Sequence, residues 1–308
     1  MPLSPEYQAM FEQLAAADPA PPLWEMTPEQ GREMYHLARP VINELPVGDI
    51  INQNIPGPKG DIPVRIYFPK EAGTFGTLLY FHGGGWVIGD LDTCDAVCRE
   101  ISLLSNVTVV SVDYRMAPEA EYPAAVDDCY AALEWAGEHG ELLKANGKLG
   151  VAGESAGGNL SAAITLKSKD LKGPKIDFQC LLYPVTDCDL TRQSYKDNGQ
   201  GFLLETQSML WFWDIYCPDE EKREEPYASP LRSEDLSDLP KALVVTAEFD
   251  PLRDEGEAYA EALIKAGSRA TYKCYEGMVH DFFSTATAFE SSRIGLLETI
   301  ETIKAELS

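Results

Sequence analysis

From Ile50 onward the chain alternates short, unbroken apolar runs with amphipathic stretches of helical period. That rhythm constrains the fold more than any other feature. The runs are "TLLYF" (77–81), "VTVVSVDY" (107–114), "LGVAG" (149–153), "FQCLLYP" (178–184) and "ALVVTA" (242–247), with "ATYKCY" (270–275) as the last. A strand that is apolar on both sides must be covered on both sides, which places such runs in a parallel sheet with helices on each face. The spacing predicts helices over Asp92–Leu104, Pro123–Glu138, Ala156–Lys167, Glu257–Ala266 and Ser292–Leu307. The second of these has proline in its first turn and Asp127 and Asp128 close behind, as a helix N-terminus prefers. Ile50–Ile55 and Ile62–Phe68, joined through "PGPKGD", predict a strand pair ahead of the parallel set. The expectation is an α/β protein.

Two segments interrupt the rhythm. Residues 1–45 are helix-like, rich in proline and without a strand signal. Residues 185–229 contain "GFLLETQSMLWFWDIYC", where Thr206 is placed to cap a helix carrying Met209, Leu210, Phe212 and Trp213. The α/β core is expected in two parts, 46–184 and 230–308, around that insertion.

Fifty acidic residues against 25 basic ones leave a net charge of −25. Such a field repels phosphate, so nucleic acid and anionic membrane are excluded as partners. The first thirty residues show no basic segment followed by an apolar one, so a signal peptide is not expected, and no apolar run is long enough to insert in a membrane. Seven scattered cysteines form no C-x-x-C pair and match no zinc-ligand spacing, which predicts reduced thiols, no structural metal and a cytoplasmic location.

The chemistry gathers in four places. "VAGESAGG" (151–158) sets Gly153-x-Ser155-x-Gly157 between an apolar strand and a helical pattern, the setting of a sharp turn that exposes a nucleophilic serine. "YFHGGGW" (80–86) ends another strand in three glycines, whose backbone N–H groups can approach a developing oxyanion closely. Of the four histidines, His36, His82, His139 and His280, only His280 follows Ser155. It is the base in the chain order serine, acid, histidine. The acid belongs between "ALVVTA" and His280, where Glu248, Asp250, Asp254, Glu255 and Glu257 stand. Asp250 is preferred because Pro251 biases it toward extended backbone at the strand end, with Glu248 in reserve.

These motifs resemble the hormone-sensitive-lipase-like family of α/β-hydrolases. The matching stretches are "HGGGW" (82–86), "DYRMAPE" (113–119), "YPAAVDD" (122–128), "GESAGGNL" (153–160), "YASPL" (227–231), "DPLRDEG" (250–256) and "GMVHDF" (277–282). The resemblance implies an α/β-hydrolase fold with an eight-stranded, mostly parallel sheet and a helical cap made of residues 1–45 and 185–229. It implies Ser155 as nucleophile, Asp250 as acid, His280 as base, and an oxyanion hole of Gly83, Gly84 and Ala156. It further implies that Trp86, Phe202 and Trp213 border the substrate pocket. Three positions depart from the family's habits: Glu154, Met116 and Asp281 stand where aspartate, leucine and glycine are frequent. The expected activity is hydrolysis of short- to medium-chain acyl esters by a monomer or homodimer, with a small-molecule ester as partner and neither cofactor nor metal. Amide or lactone hydrolysis by the same triad is the alternative, and a catalytically silent small-molecule-binding protein the more distant one.

Overall fold

A computed structural model describes residues 2–17, 21–39 and 45–308, so part of the expected N-terminal segment lies outside the described residues. In chain order the elements are α1 (Pro5–Ala16), α2 (Pro28–Leu37), β1 (Ile50–Gly57), β2 (Gly60–Tyr67), β3 (Phe75–Phe81), α3 (Asp95–Ser105), β4 (Thr108–Val112), α4 (Ala124–Glu138), β5 (Ala145–Glu154) and α5 (Ala156–Leu171). There follow β6 (Phe178–Leu182), α6 (Gln193–Asn198), α7 (Thr206–Tyr216), α8 (Glu220–Arg223), β7 (Lys241–Phe249), α9 (Arg253–Lys265), β8 (Ala270–Val279) and α10 (Glu290–Leu307). The eight strands form one sheet in the order β1-β2-β4-β3-β5-β6-β7-β8. Only β2 runs against its neighbours; every other pairing is parallel.

Alternation along β3 shows how both faces are covered. Leu78 and Tyr80 pack with residues of α3 and α10, whereas Leu79 and Phe81 pack with residues of α4 and α5. Every residue of β3, β4 and β6 is buried, which is why those runs read as continuous apolar sequence.

Two local expectations shift. α9 starts at Arg253 rather than Glu257, because the Asp250 side chain accepts the Leu252 N–H (2.8 Å) and turns the chain into the helix early. Thr206 is the first residue of α7 and not its cap; its hydroxyl instead donates to the Tyr195 carbonyl (3.4 Å).

The N-terminal segment divides between two places. Tyr7 of α1 is fully buried beside α10, its hydroxyl 2.7 Å from Thr285 Oγ1 and 3.1 Å from Ser292 Oγ. α2 lies elsewhere, over the ends of the parallel strands. It opens with a capping box in which Thr27 accepts the Gln30 N–H and Gln30 accepts the Thr27 N–H.

Candidate active site

Ser155 joins β5 to α5 with φ 55° and ψ −117°, a backbone region that non-glycine residues rarely enter. The turn is tight because its flanks nearly touch neighbouring strands. A Cβ on Gly157 would lie 1.9 Å from the Phe81 carbonyl oxygen, and one on Gly153 would lie 2.3 Å from the Gly157 oxygen. Glycine at both positions is therefore a steric requirement of the fold.

The ends of β7 and β8 bring the other two groups to that serine. His280 Nε2 is 3.0 Å from Ser155 Oγ, and His280 Nδ1 is 2.7 Å from Asp250 Oδ2. Since the carboxylate only accepts, Nδ1 carries the proton and Nε2 is left to accept from the serine hydroxyl. All three residues are buried, Asp250 completely. Burial alone would depress the His280 pKa, but the charge and hydrogen bond of Asp250 outweigh it and raise the imidazole above its ordinary value. The competing carboxylates are occupied elsewhere. Glu248 accepts the Gly277 N–H, Asp254 the Ser194 N–H and Glu255 the Thr186 N–H, while Glu257 is exposed.

The glycine loop divides its labour. Gly84 has φ +104° and closes the turn, its carbonyl accepting from Val87 (3.1 Å) and Ile88 (2.9 Å). A Cβ on Gly85 would sit 2.1 Å from the Phe212 ring of α7, so that glycine admits the helix. Among the described residues, the N–H groups of Gly84 and Ala156 have no protein partner. Gly83 differs from expectation, because its N–H donates to Glu154 Oε1 at 3.3 Å. Glu154 precedes Ser155, and its side chain runs directly past Gly83; its carboxyl also accepts from Tyr80 (3.2 Å). Burial, reinforced by the Asp281 charge, pushes Glu154 above the usual carboxylate range. His82 only shapes the loop. It is fully buried and stacked on Tyr114, its Nδ1 donates to the Gly83 carbonyl (2.7 Å), and burial lowers it to about 4.

A cavity of about 460 Å³ opens over Ser155 and His280. Its apolar wall comes from Leu23, Trp24, Met34, Ile88, Leu204 and Phe212; Arg39, Glu154 and Asp281 supply charge. The three expected pocket aromatics are not on this wall. Trp86 is fully buried and stacks on Tyr216 at 4.2 Å, with Trp213 at 4.9 Å, so both tryptophans belong to the packing beneath α7. Phe202 packs between Phe11 and Phe249, away from the cavity. The positive φ of Trp86 (61°) accounts for its direction: the chain reverses there and the indole enters the core. Leu203, Leu204 and Phe212 occupy the places expected of those aromatics, and helical period alone did not distinguish them from core residues.

A serine held at a strand end, with an imidazole and a carboxylate delivered by two further strand ends beside unpaired backbone donors, defines a serine hydrolase of the α/β-hydrolase fold. A family model described as alpha/beta hydrolase fold matches residues 78–284. A carboxylic ester hydrolase of Mycobacterium tuberculosis is 43% identical over 84% of this chain and 71% of its own length. An arylesterase of Saccharolobus solfataricus is 38% identical over 92% of this chain and 94% of its own. The crystal structure of a thermostable esterase from Pseudomonas putida superposes with a TM-score of 0.96 at 37% identity, covering 100% of this chain and 98% of the other. The chain belongs to the hormone-sensitive-lipase-like family of α/β-hydrolase carboxylesterases.

Proposed function

We propose that the protein is a serine carboxylesterase that cleaves short- to medium-chain acyl esters through an acyl-enzyme on Ser155. One observation carries the reading: the continuous chain from Asp250 Oδ2 through the imidazole of His280 to Ser155 Oγ, with spacings of 2.7 and 3.0 Å. In it His280 Nε2 removes the serine proton as Oγ attacks the ester carbonyl, and Asp250 stabilises the imidazolium that forms. The N–H groups of Gly84 and Ala156 receive the tetrahedral oxyanion, flanked by Gly83, whose N–H is shared with Glu154. The alcohol leaves with the proton from Nε2, and water activated by the same nitrogen then releases the acid. Each step uses side chains and backbone of this chain, water and the ester.

The apolar wall and moderate volume of the cavity support esters with small acyl groups. α2 and α7, which both contribute to that wall, act in this reading as a cap from the segments 1–45 and 185–229. A cytoplasmic enzyme is in keeping with seven free cysteines, five of them buried, and no helix among the described residues is long and apolar enough to cross a membrane.

The test is hydrolysis of p-nitrophenyl esters from acetate to palmitate, together with labelling by an organophosphonate. Wild type should label at Ser155 and favour the shorter chains, and Ser155→Ala should do neither. Activity greatest on palmitate and rising at a lipid interface would refute the substrate class. Activity retained by Ser155→Ala would refute the mechanism.

A further inference from the structure

α2 carries two arginines, one in its first half and one just past its end, and they reach different halves of the catalytic apparatus. Arg32 donates from Nε to the Val87 carbonyl (2.8 Å) and from a terminal nitrogen to the Ala117 carbonyl (2.9 Å), and it pairs with Glu119 through two contacts of 2.7 Å. Val87 belongs to the turn that Gly84 closes. Arg39 is ion-paired with Asp281, the residue after His280, and the two side chains are only 18% and 13% exposed. Its guanidinium also lies 3.5 Å over the Tyr35 ring, which holds it against α2.

Asp281 is coupled to the base by more than sequence. Its φ of 62° starts the turn Phe282–Thr285, and its carbonyl accepts both the N–H (3.1 Å) and the hydroxyl (2.8 Å) of Ser284. Its carboxylate accepts from Tyr183 at 3.4 Å, and the Tyr183 ring meets the His280 imidazole edge-on at 5.1 Å. The glycine loop leaves β3 and the His280 loop leaves β8, with β5, β6 and β7 between them in the sheet. No ladder of backbone hydrogen bonds joins those two strands, yet donors and base must meet one carbonyl within a fraction of an ångström.

We propose that α2 is a strap that holds the glycine loop and the His280 loop at their working separation, with Arg39 and Asp281 as positioning residues for His280. The proposal rests on the catalytic reading of Ser155, His280 and Gly84 given above. An ion pair this shielded from water is disrupted by loss of either partner far more than a surface pair is. Its rupture frees the His280 loop on the side that Asp250 does not hold.

The test measures kcat and KM for p-nitrophenyl butyrate, per site titrated with phosphonate, in Arg39→Gln, Asp281→Asn, the double variant and Arg39→Lys, with a melting curve for each. Each single neutral variant should lose about tenfold or more in kcat with little change in KM, because the reacting groups are displaced rather than the pocket emptied. The double variant should lose no more than either single one, since both remove the same tie. Arg39→Lys should recover part of the loss. Losses that multiply in the double variant, a lowered melting temperature with kcat per titrated site unchanged, or a raised KM with kcat intact would each overturn the strap. Phosphonate labelling of wild type at Ser155 reports the underlying reading separately, and its failure would overturn both.

Discussion

Replacing Ser155 by glycine should make the protein more stable than replacing it by alanine, although both variants are inactive. The reason is the backbone. At φ 55° and ψ −117° a residue with a Cβ is strained by about 1–3 kcal/mol, and alanine keeps that Cβ while glycine does not. Both substitutions remove the hydroxyl and its contact with His280, and Ser155 makes no side-chain cap to α5, so those effects cancel in the comparison. Glycine also has the more disordered unfolded state, which opposes the gain by about 0.5–1 kcal/mol. The balance is a Ser155→Gly protein more stable than Ser155→Ala by up to about 2.5 kcal/mol. At about 2–4 °C per kcal/mol for a domain somewhat smaller than this one, the melting temperatures should differ by up to roughly 10 °C. Scanning calorimetry, checked by urea midpoints with unchanged slope, measures this directly. If Ser155→Ala proves the more stable of the two, the turn stores less strain than the entropy glycine costs, and the exposed serine needs another explanation.

Asp250→Asn should lower kcat by roughly 10⁴-fold, because the imidazole loses both its tautomer and its counter-charge. kcat/KM should fall toward acid pH as His280 protonates, with an apparent pKa above the ordinary value of about 6.5, and Asp250→Asn should move that limb downward. The raised folded pKa also means that the His280–Asp250 interaction contributes stability that is complete below about pH 6.5 and disappears as pH rises through the folded value; urea midpoints across that range compared with His280→Gln read it out. Gly85→Ala should destabilise by about 1–3 kcal/mol through collision with Phe212, and Gly85→Ala combined with Phe212→Ala should cost less than the sum of the two. Trp86→Ala should lower stability by about 3–5 kcal/mol while leaving the acyl-chain profile unchanged, whereas Leu204→Ala or Phe212→Ala should shift that profile toward longer chains.

Much of the fold was legible because its signals are local. A strand buried on both faces must be apolar throughout, so β3, β5, β6 and β7 announced themselves, and the differences lay at element ends, among them the early start of α9, the later start of α3 and the cap of α7. Ser155 and His280 were legible for a related reason. The sharp turn needs its glycines within two residues of the serine, and the chain offers a single histidine after it. Asp250 needed one more inference, since five carboxylates crowd that stretch and their separate partners emerge only when distant loops come together. The pocket wall was misjudged because a tryptophan beside a glycine loop looks the same whether it faces substrate or core. The reversal at Trp86, which sends its ring under Tyr216, is a matter of packing.

The chemistry of this protein and the identity of its core strands and helices were thus written in the sequence, because side-chain period, turn sterics and nucleophile geometry act over a few residues. The order of the strands in the sheet belongs to the tertiary structure. The tertiary structure decided that Gly83, of the three glycines, gives its N–H to a carboxylate, and whether an aromatic lines the cavity or the core. It also joined Arg39 to a residue 242 positions later. No short-range pattern encodes such a pairing, because it exists only once separate segments have packed against the same sheet.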